Sequence, residues 1–187
     1  ANLVLQYSGQ EGHEINGIYV ENDKPGVIYN MIGVNGAKYE HYNSSVNFQD
    51  QFQKLNSDLI IVALGTNESL ENHYESEQII KQFSLFTSEI KKKNPDAPLL
   101  ICLHPDLYGK EKQYKNAKRL NEALKAVCRK QEIAYFDIFQ FMGGERSMYR
   151  WHQKGLAKRD LIHLNRLGYD FLGDVLYTAI INEFLQD

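Results

Sequence analysis

Short runs dominated by Val, Ile and Leu, at residues 27–32, 59–64, 99–103 and 133–136, alternate along the chain with segments whose apolar residues recur every three or four positions. A run that is apolar on both sides suits a strand covered on both faces, which is the situation in a parallel sheet. The recurring segments predict helices at about 48–55, 75–93, 111–131 and 167–185. The second must stop before Asn94-Pro95, because proline has no N–H to give and its ring clashes with the preceding turn. Regular β-α-β alternation implies a doubly wound, three-layer α/β/α domain with a mostly parallel sheet and right-handed crossovers. Ligands of such sheets bind beyond the C-terminal strand ends, so chemistry is sought in the residues that follow each strand.

Residues 1–20 have a different texture. Leu3, Leu5 and Tyr7 share one face of an extended run, Ser8-Gly9-Gln10-Glu11-Gly12 interrupts it, and Ile15, Ile18 and Val20 resume it, which predicts a β-hairpin. Asp23-Lys24-Pro25-Gly26 is a turn signal that separates this hairpin from the alternating part. At 187 residues the chain needs no second core. The 21 basic and 24 acidic side chains give a formal charge of -3, which offers no broad positive surface to a phosphate backbone, so nucleic acid is not an expected partner. Lys91, Lys92 and Lys93 close a helix, where cations favour the negative end of the dipole, and are expected as a solvated helix end. No stretch approaches the ~20 apolar residues of a membrane span, and no charged-then-apolar leader opens the chain. Cys102 and Cys128 lack metal-ligand spacing and are expected as buried thiols.

Three strand ends carry residues suited to acyl transfer. Gly33-Val34-Asn35-Gly36 follows the first run, Gly65-Thr66-Asn67-Glu68 follows the second, and Asp160-Leu161-Ile162-His163 precedes the last helix. A developing oxyanion needs N–H donors, and a glycine lets substrate approach the main chain; Gly36 and Asn67 meet those needs. A general base needs an imidazole held in one tautomer, and a three-residue offset at a turn can bring the Asp160 carboxylate against the His163 ring.

The same residues resemble the blocks of the SGNH (GDSL-like) hydrolases. Gly65-Thr66-Asn67-Glu68 is similar to the family's GxND block, with Glu in place of Asp; Asp160 to His163 resembles its DxxH block; Gly36 resembles the oxyanion glycine of its second block. A longer string, Phe141-Met142-Gly143-Gly144, Ser147-Met148, Trp151, Gly155-Leu156-Ala157, Asp160 to His163 and Gly168-Tyr169, resembles the bacterial peptidoglycan and carbohydrate O-acetylesterase subgroup. The resemblance implies a flavodoxin-like sheet and a serine ester hydrolase that removes acetyl groups from a glycan or peptidoglycan. It also implies His163, Asp160, Asn67 and Gly36 as catalytic residues, no cofactor and no metal, and a periplasmic or extracellular location. The subgroup often carries a β-rich module between its serine and glycine blocks, and residues 1–22 are similar to the end of such an insert, leaving 23–187 as the hydrolase part.

The family's first block, a strand followed by Gly-Asp-Ser and a helix, does not occur in these 187 residues. Ser8 is the candidate by position, but a nucleophile at a strand-to-helix turn needs a helix behind it, and Ser8 is followed by glycines and a β pattern. The expectation is a C-terminal portion of a longer enzyme, cut within the insert. The missing block ordinarily supplies a central strand, so residues 3–7 or a neighbouring chain could fill the gap, and an open edge invites strand exchange or self-association. The alternative is a non-catalytic binding or interaction domain. His104, after the third run, points toward the crevice and is expected to be structural; His13, His41, His73 and His152 show no metal spacing. Residues 139–161 are long for a connection and are expected either to wall the site or to pack as a loop anchored by Trp151.

Overall fold

The computed structural model describes residues 24–71, 76–108 and 115–184. The expected hairpin at 1–20, with Ser8 and His13, lies outside these residues, as does His73. Cα packing divides the chain into Ala1–Ile32 and Gly33–Asp187.

The described part of the first unit, residues 24–32, has no regular secondary structure. This corrects the expectation of a strand at 27–32. Val27 is 96% exposed and Tyr29 and Met31 80%. An apolar run becomes a strand only when its backbone finds a ladder, and among the described residues none pairs with this one.

In the second unit a parallel sheet of order β1-β2-β3 is formed by Ile60–Val62, Leu99–Leu103 and Ala134–Asp137. The helices in chain order are α1 Tyr39–Ser44, α2 Phe48–Gln53, α3 Thr66–Ser69, α4 Ser76–Lys93, α5 Lys115–Lys130, α6 Ile138–Phe141, α7 Ser147–Gln153 and α8 Arg166–Phe184. The register sets Ile60 beside Leu99, Val62 beside Ile101, and Ile101 beside Tyr135, so these side chains share one face. That face packs on Phe83, Phe86 and Ile90 of α4 and Leu120, Leu124 and Cys128 of α5. Cys102 and its neighbour Phe136 point to the other face, where Ile138, Met142, Met148, Trp151, Leu172 and Leu176 cover them. Helices on both faces of a parallel sheet make the α/β/α sandwich that the alternation predicts.

Local sequence explains the main elements. Along α4 the buried residues Ile79, Phe83, Phe86, Thr87 and Ile90 keep the spacing of one helical face, and the helix stops at Asn94 ahead of Pro95. Its closing lysines do more than meet solvent. Lys93 pairs with Asp50 of α2 at 2.7 Å, and Lys91 donates to the Gln131 carbonyl beyond α5 at 2.9 Å. The segment expected as a long connection contains α6 and α7. Trp151 anchors it, 8% exposed, with its indole N–H donating to the Met142 carbonyl at 3.2 Å. No described helix is long and apolar enough to cross a membrane.

Candidate functional site

The chain leaves β1 through Gly65, whose φ of +110° suits glycine and whose missing side chain leaves room for His104; an added Cβ would stand 3.1 Å from the imidazole Cδ2. This turn opens α3, and three consecutive residues of α3 then reach three different neighbours. The Asn67 amide donates to the Ala37 carbonyl at 2.8 Å. The Glu68 carboxylate accepts the Tyr39 N–H at 2.9 Å. Ser69 and the His104 Nε2 are 2.9 Å apart.

The first two bonds clamp residues 37–39 and so hold the turn that carries Gly36. That turn is closed by the Ala37 N–H donating to the Val34 carbonyl at 3.1 Å, with Gly36 exposed at φ +77°. Asn67 has two amide hydrogens, of which one serves the Ala37 carbonyl and the second has no partner among the described residues. Glu68 is 4% exposed, and burial raises its carboxyl above the ordinary range despite the Tyr39 N–H. The sequence marks Glu68 only as a departure from the family block; its reach to Tyr39, 29 positions away, leaves no local signal.

His104 is 3% exposed, and each of its ring nitrogens faces a neighbouring group. Its Nδ1 lies 3.0 Å from the Pro105 carbonyl, which can only accept, so Nδ1 carries the hydrogen. Burial lowers the imidazole to about 4, against weaker opposing effects from the Pro105 carbonyl and Asp137. The neutral ring therefore accepts the Ser69 hydroxyl at Nε2. Because Ser69 is fully buried, this Ser-His pair is closed to substrate.

The second group of residues sits on a loop braced by a short antiparallel contact between Ala157 and Leu164. The Lys158 N–H donates to the His163 carbonyl at 2.8 Å, and the Asn165 N–H to the Leu156 carbonyl at 3.1 Å. Within this brace Asp160 Oδ1 accepts the N–H groups of Ile162 and His163 at 2.9 and 3.0 Å, while Oδ2 lies 2.9 Å from His163 Nδ1. A carboxylate only accepts, so Nδ1 carries the hydrogen, and in the neutral ring Nε2 keeps a lone pair. Burial pulls the Asp160 carboxyl upward, but the N–H groups of His163 and Ile162 and the His163 ring outweigh it and hold the acid at about 2. Leu161, between the pair, takes φ +56°, a conformation that costs a branched residue about 1 kcal/mol. Its side chain packs into the Trp151 cluster, which offsets that strain.

Asn165 and Gly168 complete the brace. The Asn165 side chain accepts the Gly168 N–H at 3.0 Å, capping α8, and donates to the Gly155 carbonyl at 2.7 Å. A Cβ at Gly168 would overlap the Leu156 carbonyl oxygen.

Gly36 and Asn67 are thus brought together, and so are Asp160 and His163. Backbone and side-chain contacts run between the two groups: Gly65 packs on His104, and four residues on, the Tyr108 N–H donates to the Leu161 carbonyl at 3.0 Å. Both groups follow the C-terminal ends of the strands or are tied to residues that do. His152 is half-buried with Nδ1 3.0 Å from the Ala157 carbonyl, and His41 accepts the Lys38 N–H at 3.2 Å; each is spent on local backbone. Cys102 and Cys128 are buried free thiols, pushed up to about 11 by burial.

Solved structures share this fold. A peptidoglycan O-acetylesterase superposes with a TM-score of 0.71 at 22% identity, over 79% of this chain and 45% of its own. An acetyl xylan esterase gives 0.65 at 17% identity over 80% and 79% of the two chains. A carbohydrate esterase family 3 protein from Talaromyces cellulolyticus gives 0.60 at 16% identity over 81% and 70%. The chain spans less than half the length of the first of these. No curated protein matches the sequence. The GDSL-like lipase/acylhydrolase family matches residues 15–171, and the chain belongs to that family.

Proposed function

We propose that this chain is the acid-base half of a serine ester hydrolase that removes acetyl groups from a glycan or peptidoglycan, acting in the periplasm or outside the cell. His163 is the general base, Asp160 orients it, and the Gly36 N–H and the Asn67 amide receive the oxyanion. Residues 1–22 are the end of an inserted β-rich module. The observation that carries the reading is the 2.9 Å Asp160–His163 pair, tied through Leu161 and Tyr108 to the sheet end that holds Asn67. The esterase titles of the similar structures support it.

In this mechanism a serine Oγ attacks the acetyl carbonyl carbon while its proton passes to His163 Nε2. The negative charge on the carbonyl oxygen meets Asn67 and Gly36. As the C–O bond to the sugar breaks, His163 returns the proton to the departing alkoxide, and an acetyl-serine remains. Water then attacks by the same route and releases acetic acid and free serine.

Turnover of para-nitrophenyl acetate tests the reading. An active form should lose on the order of a thousandfold or more in kcat with His163→Ala, and retained activity would refute the assignment. The absence of a Gly-Asp-Ser from the sequence favours a second reading, a non-catalytic binding domain. Hydrolysis by the chain alone, lost in Ser8→Ala, would reject that reading and name Ser8 as nucleophile.

A further inference from the structure

We infer that the surface around the Asp160–His163 loop seats a carboxylate-bearing glycan, whose sugar rings lie on the Tyr108–Tyr149 pair and whose carboxylates meet a group of unpaired cations. That substrate rests on the hydrolase reading above and narrows it from any glycan to an anionic one.

The first observation is charge. Between Gly143 and Gly168 six Arg and Lys side chains stand against two acidic ones, in a chain whose formal charge is -3. All six are exposed. Both acids are engaged, Glu145 with Lys118 at 3.0 Å and Asp160 with His163 at 2.9 Å. Arg150 donates to the Glu145 and Gly143 carbonyls, and Arg166 lies 3.8 Å from Asp170. The other four, Arg146, Lys154, Lys158 and Arg159, have no acidic partner among the described residues.

Stability does not account for these four. Lys154 follows α7, where the helix dipole favours a cation, but Arg146 is the N-cap of α7, where the dipole disfavours one. Lys158 and Arg159 are adjacent like charges and repel each other. Departures from local rules of this kind gather where a surface serves a ligand.

The second observation is direction. Ala157 and Leu164 face each other across the brace and are buried, at 5% and 2% exposed. Successive residues of an extended segment alternate sides. Lys158 and His163, the next pair along, therefore both turn to solvent, and both are exposed. The Lys158 N–H bond to the His163 carbonyl holds the two backbones together, and side chains so opposed start about 5 Å apart. A carboxylate on Lys158 thus belongs to the sugar whose ester His163 serves, or to its neighbour.

The third observation is the aromatic pair. The Tyr108 and Tyr149 rings are 6.1 Å apart between centroids and tilted by 52°. Tyr149 is 44% exposed and Tyr108 half-buried. The Tyr108 N–H donates to the carbonyl of Leu161, between Asp160 and His163, so the pair flanks the loop. The face of an aromatic ring carries partial negative charge and meets the weakly positive C–H groups of a sugar. Cations alone would suit any polyanion; the rings add a contact for the apolar face of a sugar. Rings and cations together also suit single-stranded nucleic acid, but nucleic acid offers His163 no carboxylic ester.

Titration calorimetry of the 187-residue chain tests this surface, with tetragalacturonate and tetramannuronate as acidic probes and xylotetraose as the neutral one. In about 0.05 M NaCl at least one acidic tetramer should bind about 10-fold or more tighter than xylotetraose, and in about 0.5 M the ratio should fall below about 3. Lys158→Gln combined with Arg159→Gln should weaken that acidic tetramer about 10-fold and xylotetraose less than about 2-fold. Lys92→Gln removes an exposed cation near the end of α4, at the opposite end of the sheet, and should change neither. Tyr149→Ala should weaken acidic and neutral tetramers alike, about 5-fold, because a ring contact does not depend on charge. Equal affinity for acidic and neutral tetramers, no binding of any tetramer, or the same loss from Lys92→Gln would overturn the inference. Equally tight binding of a thymidine pentanucleotide would overturn it too, in favour of nucleic acid. If the acidic tetramers bind as stated while an active form keeps its para-nitrophenyl acetate turnover with His163→Ala, the glycan surface stands and the hydrolase reading fails. Loss of that turnover without tetramer binding gives the reverse.

Discussion

Acidification should unfold this protein through His104. The ring sits near 4 in the folded state because it is buried, whereas an exposed histidine titrates near 6.5. The unfolded chain therefore binds a proton between these values that the native state refuses. Stability is full above about pH 6.5 and falls as pH drops toward 4, by about 3 kcal/mol over the whole interval and by about 2 kcal/mol at pH 5. Glu68 and Asp106 work in the opposite direction. Burial raises both carboxyls, so the folded state takes up their protons more readily and gains stability as pH falls. The histidine effect is isolated by comparison with His104→Gln, which can neither titrate nor keep both ring contacts. Urea unfolding at pH 7.5 and 5.0 should show the variant less stable than the parent at the higher pH, with that gap shrinking by about 2 kcal/mol at the lower. A gap that stays constant within ~0.5 kcal/mol would mean that the native ring is protonated or reached by water, and the neutral Ser69–His104–Pro105 chain would be wrong.

Substitutions at two positions probe the brace beneath the Asp160–His163 loop. Gly168→Ala should cost about 2 kcal/mol or more in urea unfolding, because the new methyl overlaps the Leu156 carbonyl oxygen and α8 must move; an unchanged midpoint would show that α8 does not sit so close. Asn165→Ala should cost about 1 to 2 kcal/mol through loss of the α8 cap and the Gly155 bond, while Asn165→Asp keeps the cap and should recover roughly half. Equal losses in the two variants would place the stabilisation in the Gly155 contact instead.

The parts of the fold legible in the sequence are those whose cause is local. The run at 99–103 is a strand with the expected bounds because apolar residues on both sides of a short segment suit burial on both faces. The helix ending at Lys93 is legible because Pro95 forbids its continuation and the spacing of Ile79, Phe83, Phe86 and Ile90 marks one face. Asp160 and His163 could be paired in advance because three positions in a turn are enough to close the bond. Asn165 carries a local signal as well, a capping residue type directly before a helix.

What stayed hidden depends on partners far along the chain. Glu68 reaches Tyr39, 29 positions away, and Asp106 accepts the Met148 N–H, 42 positions away, to hold the start of α7. Neither side chain differs in local pattern from a surface carboxylate. The run at 27–32 shows the same limit in reverse. Its composition is that of a buried strand as clearly as that of 99–103, yet 99–103 has β1 and β3 to bond with, and 27–32 has no ladder among the described residues. Side-chain pattern states what a segment can bury; whether it becomes a strand is decided by the backbone groups on either side of it.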